Sequence, residues 1–211
     1  MLTLPWPLAR ADFDEALAAF RSGAVVVYPT ETVFGIGVAL SAGEAGIERV
    51  RAAKRSPPGR PYLLVASSTE MAFSLWSEVP PVAAVLGASE WPGPLTMIGP
   101  ARDGLPPSLL GQLETPDGPV RTVSVRVPGD AALRQLVGRL GEPILSTSAN
   151  LAGRPTPLTF EELELDALAP DLVLETPRCE GGLPSTILST VEDPPRVLRQ
   201  GAWRPPVLEG P

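Results

Sequence analysis

Twenty-seven prolines in 211 residues set the first limit on what this chain can fold into. Proline fixes φ and carries no amide proton, so it is costly inside a helix or a central strand. Ten of these prolines fall in adjacent pairs: Pro57-Pro58, Pro80-Pro81, Pro106-Pro107, Pro194-Pro195 and Pro205-Pro206. Apolar runs of a few residues lie between them. The pairs therefore read as punctuation between short elements rather than as a disordered tract. With 44% apolar residues, those elements can still enclose a sizeable core.

The elements alternate in type. Ala11 to Arg21 carries Phe13, Leu17 and Phe20 at helical spacing, with Asp12 placed to cap it and Gly23 to end it. Ala24 to Tyr28 reads as a buried strand. Gly43 to Arg55 is helical, with Lys54 in its last turn. Pro61 to Ala66 is a second buried strand. Ser67 and Glu70 have capping-box spacing at the start of a helix through Trp76. Pro81 to Ser89 is a helix, and Pro94 to Gly99 a strand. Arg102 to Val120 lacks a period and is long for a connection, which suggests a mobile functional loop. Thr122 to Val127 alternates as a strand should. A helix over Asp130 to Leu140, a strand over Pro143 to Thr147 and a helix near Phe160 to Leu168 follow. Strands are expected at Asp171 to Leu174, Ser185 to Ser189 and Arg196 to Leu198. Intermixed helices and buried strands give an α/β fold, a single twisted mixed sheet with flanking helices. One domain is expected over 1–201, with a Pro-rich tail over 202–211.

Composition removes several chemistries. Histidine is absent, so histidine bases, triads and metal ligands are excluded. One cysteine, Cys179, permits no internal disulfide and fits a reducing cytoplasm. No apolar run approaches a membrane span, and Met1 to Arg10 lacks the layout of an export signal. The net charge of −7 argues against a dedicated duplex-binding surface. The cations are lopsided: sixteen arginines and one lysine, Lys54. A position that stays lysine in such a chain is a candidate for a site that needs a compact point charge rather than a planar fork.

Four segments share one pattern, a buried strand next to hydroxyl- or glycine-rich residues. They are Tyr28-Pro29-Thr30-Glu31-Thr32-Val33-Phe34-Gly35-Ile36-Gly37, Trp91-Pro92-Gly93-Pro94-Leu95-Thr96, Ser146-Thr147-Ser148-Ala149-Asn150 with Gly153-Arg154-Pro155-Thr156, and Gly181-Gly182-Leu183-Pro184-Ser185-Thr186. Any one of them could be ordinary turn chemistry. Together, around a single lysine, they predict a pocket for an anion or nucleotide beyond the strand ends. No P-loop and no GxGxxG run is present, so a nucleotide would be held by a different loop.

In their order along the chain these segments, with Val-Ser-Val-Arg-Val-Pro and Leu-Arg-Gln-Gly, closely resemble the YrdC-like family, the threonylcarbamoyl-AMP synthases. The resemblance spans roughly Ala11 to Gly201 and is closest to the single-domain bacterial form. It implies a YrdC-like fold and a reaction in which L-threonine, bicarbonate and ATP give threonylcarbamoyl-AMP and pyrophosphate. The product would serve tRNA threonylcarbamoyladenosine modification, with other proteins performing the transfer to tRNA. Lys54 and Arg199 would then act on the phosphates and carbamate. Arg126 would hold the threonine carboxylate, with Thr32, Ser146 and Ser185 completing that pocket. Arg55, Arg60, Thr122, Ser148, Asn150, Thr156 and Arg199 would line the ATP side. Mg2+ would be carried by the ATP phosphates, and no protein metal site is expected. Glu31 is expected to cap or hydrogen-bond locally.

The run Lys54-Arg55-Ser56-Pro57-Pro58-Gly59-Arg60-Pro61 departs from the family pattern, which has arginine where Ser56 stands. Serine supplies no charge. The alternative expectation is therefore a paralogue that binds nucleotide or double-stranded RNA with weak or no synthase activity.

Overall fold

The computed structural model describes residues 1–59, 61–116 and 118–204. Arg60 and residues 205–211, most of the expected tail, lie outside the described residues. In chain order the elements are β1 (Leu2–Pro5), α1 (Arg10–Arg21), β2 (Val26–Tyr28), β3 (Gly35–Ala39), α2 (Gly43–Lys54), β4 (Leu63–Val65), α3 (Thr69–Phe73), α4 (Pro81–Ser89), β5 (Leu95–Pro100), β6 (Gly111–Thr115), β7 (Gly118–Arg126), α5 (Ala131–Leu140), β8 (Ile144–Ser148), α6 (Leu165–Leu168), β9 (Leu172–Glu175), β10 (Thr186–Ser189) and β11 (Arg196–Arg199). All the strands join one sheet in the order β1-β9-β2-β3-β8-β4-β7-β5-β10-β11, with β6 paired to β7. Parallel and antiparallel neighbours mix: β4 runs parallel to β7 and β5 to β10, while β3–β8 and β5–β7 are antiparallel. This is the expected single mixed sheet with flanking helices.

Two cores lie on opposite faces of the sheet, sorted by the strand period of two. Val27, Leu64 and Leu145 pack with Ile47 and Val50 of α2 and with Ala72 and Ala83. Their sequence neighbours Val26, Val65 and Ile144 pack with Leu17 and Phe20 of α1 and with Leu133 and Leu136 of α5. Phe20, Leu133 and Leu136 have no exposed surface, and burying such a side chain is worth about 1.5–3 kcal/mol. Because α1 and α5 cover only part of their face, the middle of the sheet keeps a polar stretch on that side. Ser124 and Ser146 stand there in register with Leu63, and Arg126 with Thr96.

Several elements differ from expectation. The segment Arg102 to Val120 is no structureless loop: it holds a 3-10 turn at Pro107–Leu109 and the hairpin β6–β7, closed by pairing of Thr115 with Gly118. Its alternation escaped notice because β6 has half-buried and exposed positions and no buried one. β1 and β3 were not anticipated. α1 starts at Arg10 without a side-chain cap, leaving Asp12 in its first turn. Ser68, not Ser67, caps α3 by accepting from the Met71 amide, and that helix ends at Phe73 rather than at Trp76. The helix expected near Phe160 to Leu168 is a 3-10 turn at Phe160–Glu162 followed by the short α6. Packing continues past Gly201: the Trp203 indole donates to Glu90 at 2.7 Å, and the Thr186 hydroxyl donates to the Trp203 carbonyl.

Candidate functional site

Lys54 closes α2 and is only 5% exposed. Its ammonium donates to the Ser148 carbonyl and, at 2.6 Å, to the Asn150 carbonyl. The Ala152 amide returns a bond to the Lys54 carbonyl. Asn150 fastens the same loop through its side chain, which donates to the Leu151 and Arg154 carbonyls and accepts from the Ser148 hydroxyl. Burial pushes the Lys54 ammonium down to about 8, because a low-dielectric setting disfavours the charged form. Thr156 lies further along this loop, in a cavity of about 470 Å³ that it lines with Asn150, Arg154 and Glu164.

Arg55 adopts the left-handed conformation at the end of α2 and is exposed, so its guanidinium is not part of the buried cluster. Ser56 is half-buried and lies close to the Tyr62 phenol, as does Arg51. Burial raises the Tyr62 phenol, and Arg51 and Ser56 oppose that rise. The guanidinium beside that phenol comes from Arg51, one turn before Lys54. It also pairs with Glu48 and donates to Ser108.

Arg126, at the end of β7, is 5% exposed. It donates through Nε to the Gly93 carbonyl at 3.1 Å, through Nη1 to the Thr32 hydroxyl at 3.0 Å and through Nη2 to Glu31 Oε1 at 2.6 Å. Thr32 in turn shares a 2.8 Å hydroxyl contact with Thr30, whose oxygen also accepts from the Thr32 and Val33 amides. A guanidinium has five N–H groups; three are engaged here, so two are left for a ligand. Thr96, in register with Arg126, meets the Ser185 hydroxyl at 2.8 Å. Arg199 donates to the Ser185 carbonyl at 2.8 Å. Ser146 is 6% exposed and lies close to the Tyr28 phenol, which burial raises above its ordinary range.

The two clusters adjoin. Gly35 pairs with Ser148, and the Ala149 amide donates to the Phe34 carbonyl at 2.8 Å. The Gly182 amide reaches the Thr32 carbonyl. All four motif segments therefore meet in one unbroken series of contacts from Lys54 through Phe34, Thr32 and Arg126 to Ser185 and Arg199. Thr122 shares the strand face of Arg126, roughly 13 Å away at four residues' rise, and is packed beneath Gly111 of β6. Arg60 lies outside the described residues. Sequence reasoning placed Thr96 in one of the four pocket segments but gave it no role; it missed Arg51 as a member of this region and gave Glu31 no partner. Arg51 and Glu31 had no signal that local spacing could provide.

An open mixed α/β sheet with one buried guanidinium on its polar face, joined by contacts to one buried ammonium at the end of α2, is suited to anionic ligands. The chain belongs to the Sua5/YciO/YrdC family: the family's sequence model, described as "Telomere recombination", matches residues 18–201. A threonylcarbamoyl-AMP synthase of Pyrococcus abyssi is 32% identical over 187 residues, covering 88% of this chain and 53% of that protein. The chain thus spans about half the length of that relative. The structure of P. abyssi Sua5 complexed with L-threonine superposes with a TM-score of 0.81 at 28% identity, over 95% of this chain and 57% of the other. Escherichia coli YciO superposes with a TM-score of 0.79 at 28% identity, and there 96% of each chain is covered.

Proposed function

We propose that this chain makes threonylcarbamoyl-AMP from L-threonine, bicarbonate and ATP, releasing pyrophosphate. The observation that carries this reading is Arg126, a buried guanidinium fixed on three sides with two N–H groups left over, one series of contacts away from Lys54. The relative solved with L-threonine supports the same assignment.

The chemistry follows from the charges. Arg126 pairs with the α-carboxylate of threonine, and a planar fork suits such bidentate contact. Thr32, Ser146 and Ser185 surround that amino acid. The amine adds to bicarbonate with loss of water, and the carbamate oxygen then attacks the α-phosphorus and displaces pyrophosphate. Lys54 leaves its two carbonyl acceptors for the phosphates, and Arg199 offsets the charge on the carbamate or the leaving group. Ser148, Asn150 and Thr156 line the nucleotide side, with Arg55 and Thr122 at its margins. Mg2+ arrives on the ATP phosphates: among the described residues no cluster of acidic or cysteine side chains could cage it. The partners implied are the proteins that transfer the threonylcarbamoyl group to tRNA. No described helix is long and apolar enough to cross a membrane.

Pyrophosphate release from ATP that requires both threonine and bicarbonate is the expected result; release indifferent to threonine, or none, overturns the assignment. A second reading, a nucleotide-binding paralogue without turnover, is favoured by one feature. Ser56 supplies no charge beside Lys54, and the neighbouring Arg51 is already tied to Glu48 and Ser108. Under that reading ATP binds without turnover, and Ser56→Arg restores it.

A further inference from the structure

We propose that Glu31 receives the α-ammonium group of the amino acid, so that Arg126 and Glu31 together read a zwitterion. This inference rests on the assignment of an amino-acid substrate made above.

Glu31 is held firmly. Its Oε1 accepts from Arg126 Nη2 and from the Gly129 amide. Its Oε1, Cδ and Cγ lie 3.0–3.1 Å from where a Cβ on residue 129 would stand, so the glycine there gives the carboxylate its seat. Gly181 covers the backbone from the other side: a Cβ on it would come within 2.5 Å of the Glu31 carbonyl oxygen. With its carboxylate seated against Gly129 and its backbone against Gly181, Glu31 is not a loose surface group.

The second carboxylate oxygen, Oε2, is buried and makes no hydrogen bond. An ionised oxygen in that condition is costly unless a donor reaches it. Asp130, a nearby carboxylate, is already committed, accepting from the Leu133 amide that it caps and from the Trp6 indole. Glu31 is the carboxylate with capacity left.

Its position matches the geometry of the ligand class. An α-amino acid carries its ammonium and carboxylate on the same carbon, so a receptor needs a cation and an anion side by side. Arg126 and Glu31 stand 2.6 Å apart. With the α-carboxylate on the remaining guanidinium N–H groups, the α-ammonium falls on the glutamate side. A charged donor meeting a charged acceptor in a partly buried site makes a strong hydrogen bond. Amino acids are thereby distinguished from hydroxy and simple carboxylic acids, which present a carboxylate without the cation.

The test compares two ligands on two proteins by calorimetry: L-threonine and its des-amino analogue 3-hydroxybutanoate, on wild type and on Glu31→Gln. Wild type is expected to favour threonine. Glu31→Gln weakens threonine by about tenfold or more, as expected for a lost charged hydrogen bond, and leaves 3-hydroxybutanoate within about twofold, a difference too small to matter energetically. Equal losses for both ligands would mean that Glu31 only props up Arg126, and the proposal falls. Unchanged threonine binding also overturns it. If Glu31→Gln does not fold by circular dichroism, the wild-type comparison decides, and equal affinity for the two ligands sinks the idea. Wild type that binds no threonine at all refutes the assigned substrate instead.

Discussion

At the scale of single residues, Lys54 carries the sharpest expectations. Arginine there must fit a planar fork where an ammonium now sits between two loop carbonyls. Lys54→Arg is expected to lower kcat/KM for ATP by at least about tenfold, the cost of one misplaced charge contact, with a melting temperature close to wild type. The residue also ties stability to pH. The folded lysine gives up its proton near 8, whereas the unfolded one holds it up to its ordinary value of 10.5. Between those values the unfolded state binds more protons, so unfolding free energy rises with pH across that window. Urea titrations at several pH values would show the slope, and Lys54→Met would remove it. The importance of Lys54 was legible because every other side-chain cation in the sequence is arginine. The setting of Arg126 was not: its carboxylate partner lies 95 residues away, and nothing in local spacing says which distant strands become neighbours. The gap at Ser56 was readable from the motif, but the presence of Arg51 beside it required the turn of α2 and the approach of Tyr62.

Among the elements, β3 shows why a strand can hide in a turn-like sequence. Gly35 and Gly37 are poor strand formers, and the run before them is full of hydroxyls. The glycines are needed because Tyr28, paired with Gly35 across the sheet, lays its ring over them: a Cβ on Gly35 would come within 2.8 Å of that ring. Backbone crowds the second position harder, since a Cβ on Gly37 would stand 1.7 Å from the Leu145 carbonyl oxygen. Gly37→Ala is therefore expected to cost at least about 3 kcal/mol, the upper end for overpacking, read as a fall in the urea midpoint. Gly138, in α5, gives the opposite sign. A Cβ there meets only Ser67 at an ordinary 3.6 Å, so Gly138→Ala is expected to raise stability by about 0.5–1 kcal/mol through helix propensity. The bounds of α4, Pro81–Ser89, matched expectation because the Pro80-Pro81 pair marks its first turn. The hairpin β6–β7 did not, because its first strand covers too little core to leave an apolar alternation.

For the molecule as a whole, the sheet is locked at its far side by residues beyond the last recognisable motif. Trp203 is 7% exposed and ties Glu90, Thr186 and Gln200 together. Trp203→Ala is expected to destabilise by about 3–5 kcal/mol, as for other buried tryptophans, and thermal melts would report it. The α/β class and the sheet were legible because buried strands and amphipathic helices alternate with clear breaks. Strand order was not, since β1 and β9 become neighbours from opposite ends of the sequence. The binding face inherits that long-range character: Thr32 and Arg126 are 94 positions apart, and Thr96 and Ser185 are 89. No single fragment can assemble it, because its members come from distant strands and the loops between them. Threonine bound there would act as a rivet through the entire architecture. Deuterium uptake would slow by a similar factor in strands that never touch the amino acid as in those that do.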